Sequence, residues 1–374
     1  MAFNGLAVYD DFAGIHENVS DLVGFLAPYE TPLLDALGTS DRAATNVAYE
    51  WLEDTLNPST DATSAAVGSA GQTVLQVANS GRFRVGDEIR LGSEVLLVNS
   101  TYTGTLSVTR GYGGTTASTY AAGAAVDIIG NAALEGEDTD EDFSRAKVRR
   151  ANYLQIFKKG VKVSGTARAV NWIGASDPLA YQKVQRMREL LRDLEKTVIH
   201  GRAGVSTIGS DTARRTLAGL LGSLSTNIQS WGTLTGSLDN APVALSNALQ
   251  LAFSRGSKDI DLIAAPAAHK VIYSTLNASR TEVVPLTVGG RTFEQMVDVY
   301  NSDFGRQRIV LCRWLPSNLT LLLDSSRIKL VPLQGRTFQY EDLAKTGDSD
   351  RGQLVGEYTL ELRNEDAHAV LQTA

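Results

Sequence analysis

Between Ala180 and Val198 apolar side chains recur at spacings of four and three, at Ala180, Val184, Met187, Leu191, Leu194 and Val198. Lys183, Arg186, Arg188, Glu189, Arg192, Asp193, Glu195 and Lys196 fall on the other face. That period is helical. Asp177 offers an acceptor to the free N–H groups of a first turn, Pro178 suits the first helical position and Gly201 stops the run, so the pattern predicts one helix over 178–200. At 1.5 Å per residue it would extend about 35 Å, the length of a strut, although an ordinary core helix has the same stripe.

From about residue 63 to 131 the period shortens to two. Alternating runs at 73–77, 87–91, 94–98, 106–110 and 125–129 are separated by Asn79-Ser80-Gly81, Gly92-Ser93, Thr103-Gly104 and Gly111-Tyr112-Gly113-Gly114. Short strands punctuated by such turns predict a small antiparallel β-barrel or sandwich, inserted into a chain that reads differently on either side. The Gly-Tyr-Gly-Gly run lacks the Lys-Ser/Thr end and the following helix of a phosphate loop, so it reads as a turn. Further on, helices are predicted from Asn240-Ala241-Pro242 through Phe253 and from Pro266 through Leu276, with a buried strand at 259–264 between them. Strands follow at 297–301, 308–313, 319–323, 327–331 and 354–362, the last with Val355, Tyr358, Leu360 and Leu362 mostly at a period of two. The class is α+β; the repeated strand-helix pairs and Gly-rich first turn of a doubly wound nucleotide fold are missing.

Charge adds organisation that hydropathy does not show. The 374 residues hold 35 Lys+Arg and 42 Asp+Glu, a formal net charge of −7. Residues 1–41 carry seven acids and no lysine or arginine, equal to the whole net charge. With turn signals at Ala27-Pro28 and Thr31-Pro32, and short apolar stretches (Leu33, Leu34, Leu37) able to dock elsewhere, this segment reads as an extended arm. A second acidic block, Glu135, Glu137, Asp138, Asp140, Glu141 and Asp142, gives way to Arg145, Lys147, Arg149, Arg150, Lys158, Lys159, Lys162 and Arg168. Two readings stay open: solvated stretches of opposite sign, or complementary patches, with Glu135, Glu137, Asp138, Arg145, Arg149, Arg150, Lys158 and Lys159 as contacts between neighbouring copies.

Candidate chemistry is sparse. The single cysteine, Cys312, lies in the apolar run Ile309-Val310-Leu311 and reads as a buried small hydrophobe. Histidines at 16, 200, 269 and 368 are too few and too scattered for a transition-metal site, and His200 and His269 read as structural. There is no Gly-x-Ser-x-Gly elbow, and the 138–142 acids lack EF-hand spacing. The expectation is therefore no catalytic, metal or cofactor-binding residue. No apolar run approaches the roughly 18 residues of a membrane helix, and the first basic residue is Arg42, so no secretory signal is expected. The Arg214-Arg215 pair has two readings, a face toward a partner and a solvated loop, of which the loop is the better.

The arm with Glu30-Thr31-Pro32-Leu33-Leu34, the strand Tyr49-Glu50-Trp51-Leu52-Glu53-Asp54, a basic strand pair and the long strut helix together resemble tailed-bacteriophage major capsid proteins of the Hong Kong 97-type fold. The resemblance continues through Tyr300-Asn301-Ser302-Asp303-Phe304-Gly305, the Trp314-Leu315-Pro316 turn, Leu343-Ala344-Lys345-Thr346-Gly347-Asp348 and Gly356-Glu357-Tyr358-Thr359-Leu360. Val85-Gly86-Asp87 through Arg110-Gly111-Tyr112-Gly113-Gly114-Thr115-Thr116 is similar to a small β-domain that one branch carries in its extended loop.

The resemblance implies an N-terminal arm (1–40), an extended loop (41–150) with the 63–131 insertion, a peripheral domain (151–219) around a 178–200 spine helix, an axial domain (220–345), and a return strand of the peripheral domain (346–374). It implies self-assembly into hexamers and pentamers of an icosahedral shell around double-stranded DNA. Portal, scaffold and cement or decoration proteins would be partners, DNA would be held without sequence specificity, no membrane would be involved, and assembly would occur in the host bacterial cytoplasm. A competing reading is a virion accessory or carbohydrate-binding protein acting through the β-insertion, which would bind glycans as an isolated fragment.

Overall fold

The computed structural model describes residues 29–136, 144–170, 177–203, 208–231, 241–257, 260–278, 299–345 and 347–373. The chain divides into two compact units, one of Met1–Trp51 with Arg149–Ala374 and one of Leu52–Val148. Ala48–Glu53 and Val148–Tyr153 pair as a two-stranded ribbon through which the chain leaves the first unit and returns to it.

The Leu52–Val148 unit is one antiparallel six-stranded sheet, in the order Thr60–Ala62, Ala125–Asn131, Asp87–Leu91, Glu94–Tyr102, Thr105–Thr109, Val74–Gln76. All five predicted runs are strands, and one more begins at Thr60, ahead of the predicted start. The Thr63↔Val77 bridge and the Ser64 N–H bond to the Gln76 carbonyl (3.0 Å) join the two outer strands, closing the sheet as a barrel. Inside are Val67, Leu75, Phe83, Ile89, Leu91, Leu96, Val98, Leu106, Val108 and Val126. Tyr112–Gly114 is a tight turn in which Gly111 and Gly113 take φ 61° and 64°, a left-handed conformation that glycine adopts without strain. The barrel also buries an ion pair: Arg110 grips Glu94 with Nε to Oε1 at 2.6 Å and Nη2 to Oε2 at 2.7 Å.

In the larger unit the predicted helix spans Pro178–His200, with the Asp177 carboxylate accepting from Leu179 N–H and Gly201 at the C-terminal cap. Its buried face differs from the predicted stripe. Leu190, Leu194, Glu195, Val198 and Ile199 are buried, whereas Ala180 and Val184 are exposed. The fully buried positions all fall in the C-terminal half, Met187 in the N-terminal half is only partly buried against the same core, and Glu195, assigned to the polar face, lies inside.

This helix lies against a four-stranded sheet. The central strand Ser349–Leu362 pairs along one edge with Gln155–Ser164 and along the other with Gln339–Leu343 and Ile328–Pro332, all antiparallel. Phe157, Leu354, Tyr358, Leu360 and Leu362 enter the same core as Leu190, Leu194 and Val198. The other face carries Val355, Glu357, Thr359 and Glu361, all buried, so the expected period of two becomes a continuous buried run. Gly356 is needed where it is: a Cβ there would run into the Phe338 ring, which packs tilted against Tyr358 with ring centroids 4.8 Å apart. Gly356→Ala is expected to cost about 1–3 kcal/mol, read as a lower urea midpoint at unchanged m-value.

A six-stranded mixed sheet follows, ordered Ile228–Ser230, Ala369–Gln372, Leu319–Leu323, Leu262–Ala265, Gly305–Leu311, Val299–Ser302. Helices Ala241–Ser254 and Ala267–Ala278 cover one face through Leu245, Leu249, Ile263, Ile309, Leu322 and Leu371; the opposite face shares the core of the spine helix through Ala264, Val310, Leu321 and Val370. The sheets cut across the expected 345/346 domain boundary. Ile328–Pro332 and Gln339–Leu343 pair with the long strand, while Ala369–Gln372 lies beside Leu319–Leu323 in the other sheet. Hydrogen-bonding partners, not chain order, define the layers.

Candidate assembly surfaces

Residues 29–37 are anchored on the C-terminal half of the spine helix. Leu33 and Leu37, on the short helix Pro32–Leu37, enter the core. Leu34 N–H points to Glu195 Oε2 at 3.4 Å, and the Cys312 thiol donates to Glu195 Oε1 at 3.6 Å. Trp314 Nε1–H donates to the Glu30 carbonyl (3.2 Å), with Lys196 Nζ 4.3 Å from the Trp314 ring centroid and the Arg188 guanidinium 4.6 Å from that of Tyr29. Burial pushes the Glu195 carboxyl up to about 7; the Leu34 and Leu33 N–H groups and the thiol oppose that shift, and Asp35 adds to it. Burial, with Glu195 beside it, likewise raises the Cys312 thiol to about 12, an inert sulfur as its apolar run predicts.

The residues singled out as contacts between copies are distributed as follows. Glu135 is exposed, and Glu137 and Asp138 lie outside the described residues. Arg145 is exposed and donates to Thr55 Oγ1 at 3.1 Å. Arg149 approaches Glu50 at 3.5 Å, Arg150 and Lys158 are exposed, and Lys159 pairs with Asp193 of the spine helix at 2.9 Å. The ion pairs of Arg149 and Lys159 therefore run to acids outside the 135–142 block.

Nothing in the local residue pattern announces the charged groups on the buried outer face of the four-stranded sheet. Glu357 accepts from Arg215 at 3.2 Å and pairs with Arg336 at 2.7 Å, so Arg215 is a half-buried partner and not the solvated loop residue expected. Glu361 accepts from Tyr49 Oη (3.2 Å) and from Arg363. Partners 142 and 312 residues away leave no local pattern to read. The three described histidines each hold a hydrogen bond within the fold, and His16 lies outside the described residues. His200 Nε2 meets the Trp314 carbonyl at 2.7 Å, His269 Nδ1 meets Thr320 Oγ1 at 2.6 Å, and His368 Nδ1 accepts Asp324 N–H at 3.1 Å. Among the described residues there is no cluster of His, Cys, Asp and Glu able to hold a metal, and no helix long and apolar enough to cross a membrane.

A long helix under one sheet, a second sheet with two covering helices and an anchored N-terminal segment are the arrangement of the Hong Kong 97-type fold. Solved structures agree over the full length. The chain is similar to the capsid of Myoviridae phage XM1 (12% identity, TM-score 0.52, all of both chains covered) and to a chain from Microbacterium phage Oxtober96 (12%, 0.53, 99% of this chain and 100% of that one). It is 26% identical over 293 residues to the major capsid protein of Escherichia phage Phieco32, covering 65% of this chain and 81% of that protein. Residues 3–374 match the family model described as SU10 major capsid protein, and the chain belongs to that family. Its function is that of a phage major capsid protein, a structural component of the virion shell.

Proposed function

We propose that copies of this chain associate as hexamers and pentamers into an icosahedral shell that encloses the double-stranded DNA of a tailed bacteriophage. The observation that carries this reading is a capsid-family match over 3–374 together with a capsid fold over the full length. The acid-rich N-terminal segment, the partly exposed spine helix and the separate loop unit are parts that gain further burial only against neighbours, and many modest contacts per subunit act together in a lattice. The division into arm, extended loop, peripheral and axial domains belongs to the same reading. So do a non-enzymatic role, assembly in the host cytoplasm, portal, scaffold and decoration partners, and DNA held without sequence specificity. The glycan-binding alternative is not favoured, because the family match extends over the whole chain and not over the barrel alone.

Expressed alone or with its phage partners, the protein is expected to give capsomers or megadalton particles by size-exclusion chromatography and electron microscopy. A monomer of 40.1 kDa under every condition would contradict the assignment. Within this reading, Glu135, Glu137, Asp138, Arg145, Arg149, Arg150, Lys158 and Lys159 are contacts between copies. Reversing Arg149 and Arg150 to Glu is expected to make assembly markedly more sensitive to salt; equal assembly of variant and parent at 50 mM and 500 mM NaCl would remove those two from the interface.

A further inference from the structure

Strand Gln155–Ser164 turns Phe157, Lys159, Val161 and Val163 toward the spine-helix side and Ile156, Lys158 and Lys162 to the outer face. Across the ladder Ile156 sits opposite Glu357, so it shares a face with the Arg215–Glu357–Arg336 group. The loop 208–217 arches over this face. Arg215 pins it to Glu357, Leu217 N–H donates to Gln155 Oε1 at 3.1 Å, and a turn closes from Ser210 N–H to the Ala213 carbonyl at 3.0 Å. Loop and strand flank an open groove of about 850 Å³ lined by Ile156, Lys158, Ile208, Arg214 and Arg215 among others.

Its chemistry is one-sided. Three cations line it and no acid does. Glu357 already answers Arg215, while Lys158 and Arg214, both exposed, have no acidic partner among the described residues. Beside them Ile156 and Ile208 leave 48% and 62% of their surface to solvent. An occupant that satisfies both features must carry several carboxylates and an apolar side chain in one short stretch. Within this chain the segment 135–143 fits: six acids in eight positions, Glu135 to Asp142, followed at once by Phe143. The other acid-rich stretch, at the N-terminus, has lower charge density, and its described part is already anchored on the spine helix.

We propose that this groove receives the acidic segment 135–143 of a second copy, with carboxylates on Lys158 and Arg214 and Phe143 against Ile156 and Ile208. The proposal rests on the shell-assembly reading and assigns one contact within it.

The test uses two full-length variants carrying different tags, Asp140→Cys and Arg214→Cys, co-assembled and then oxidised. The expected result is a disulfide-linked heterodimer on a non-reducing gel of purified particles, absent when Asp140→Cys is paired with Lys329→Cys. Particles that form without the heterodimer overturn the groove assignment and leave the shell reading intact; failure of the parent to form particles indicts that reading instead. A double variant in one chain that cross-links only within itself overturns the second copy as occupant. The charge swap gives an independent readout. Lys158→Glu with Arg214→Glu is expected to reduce particle yield at least fivefold at 50 mM NaCl with unchanged circular dichroism, and Asp138→Lys with Asp140→Lys in the same chain to restore it. No loss, or no rescue, counts against the proposal. Short duplex DNA bound by the parent protein and lost in Lys158→Glu/Arg214→Glu would reassign the groove to phosphate and overturn it too.

Discussion

Arg110→Met is expected to destabilise the Leu52–Val148 barrel by about 3–5 kcal/mol, because it strands a carboxylate with no exposed surface. In the intact protein Glu94 is completely buried and Arg110 nearly so, and every oxygen is answered: Gly111 N–H donates to Oε1 at 3.0 Å and Ser118 N–H to Oε2 at 3.2 Å. Arg110 is equally satisfied, with Nη1 on the Ser69 and Gln72 carbonyls and Nη2 on Ser118. Burial alone would raise the Glu94 pKa; the hydrogen bonds from Arg110, Gly111 and Ser118 outweigh it and hold the carboxyl below its usual value of 4.5. Its contribution to stability is therefore present above that value and lost as pH falls through the depressed one. Without the guanidinium the sign reverses, and the buried acid penalises the fold at neutral pH. Hydrogen exchange of the barrel strands in the full-length chain reads the effect, and a loss under about 1 kcal/mol would mean water reaches Glu94. Replacing both partners, Glu94→Leu with Arg110→Met, should recover most of the loss, since a buried pair is costly mainly when half of it is removed.

Glu195→Gln carries the opposite expectation. With a folded pKa of about 7 against an ordinary 4.5, the parent protein folds with a proton that the unfolded chain releases earlier. Its stabilising effect is fully present below about pH 4.5 and is lost as pH rises through 7, a swing of about 3 kcal/mol. Glutamine removes that slope, so the variant should be more stable than the parent at pH 8 by up to about 3 kcal/mol and indistinguishable from it near pH 4.5. Thermal unfolding followed across pH 4.5–8 checks this; parallel curves for parent and variant would show that Glu195 does not titrate inside the fold. Because its acceptors hold Leu34 N–H and the Cys312 thiol, proteolysis near residue 30 should follow the same pH dependence.

What the residues announce locally, the structure keeps. Asp177, Pro178 and Gly201 bracket the spine helix because caps act within one turn, and the barrel strands are legible because Asn, Gly and Ser punctuate a period of two. What fails is long-range. Glu195 sits among lysines and arginines in sequence, and only the docking of residues 29–37 and Cys312 turns that side of the helix inward. Val355 breaks the alternation of the long strand because both of its faces are covered, which erases the contrast a periodicity search needs. Gln339–Leu343 and Ala369–Gln372 are too short to stand out before their partners are known. For the proposed contacts, composition exposes the change of sign near residue 143 but not where each charge finds its partner, as Lys159 with Asp193 and Arg149 with Glu50 illustrate.

The ribbon of Ala48–Glu53 and Val148–Tyr153 has a consequence for engineering and descent alike. Because the outgoing and returning strands are hydrogen-bonded side by side, whatever lies between them is a closed excursion whose ends stay a strand's width apart. Loop-closure entropy grows only logarithmically with the length of such an excursion, so the barrel can be lengthened, exchanged or cut back to a turn with little cost to the rest of the chain. A foreign peptide grafted at the Thr103-Gly104 turn is therefore expected to be tolerated by the rest of the chain and carried once per subunit.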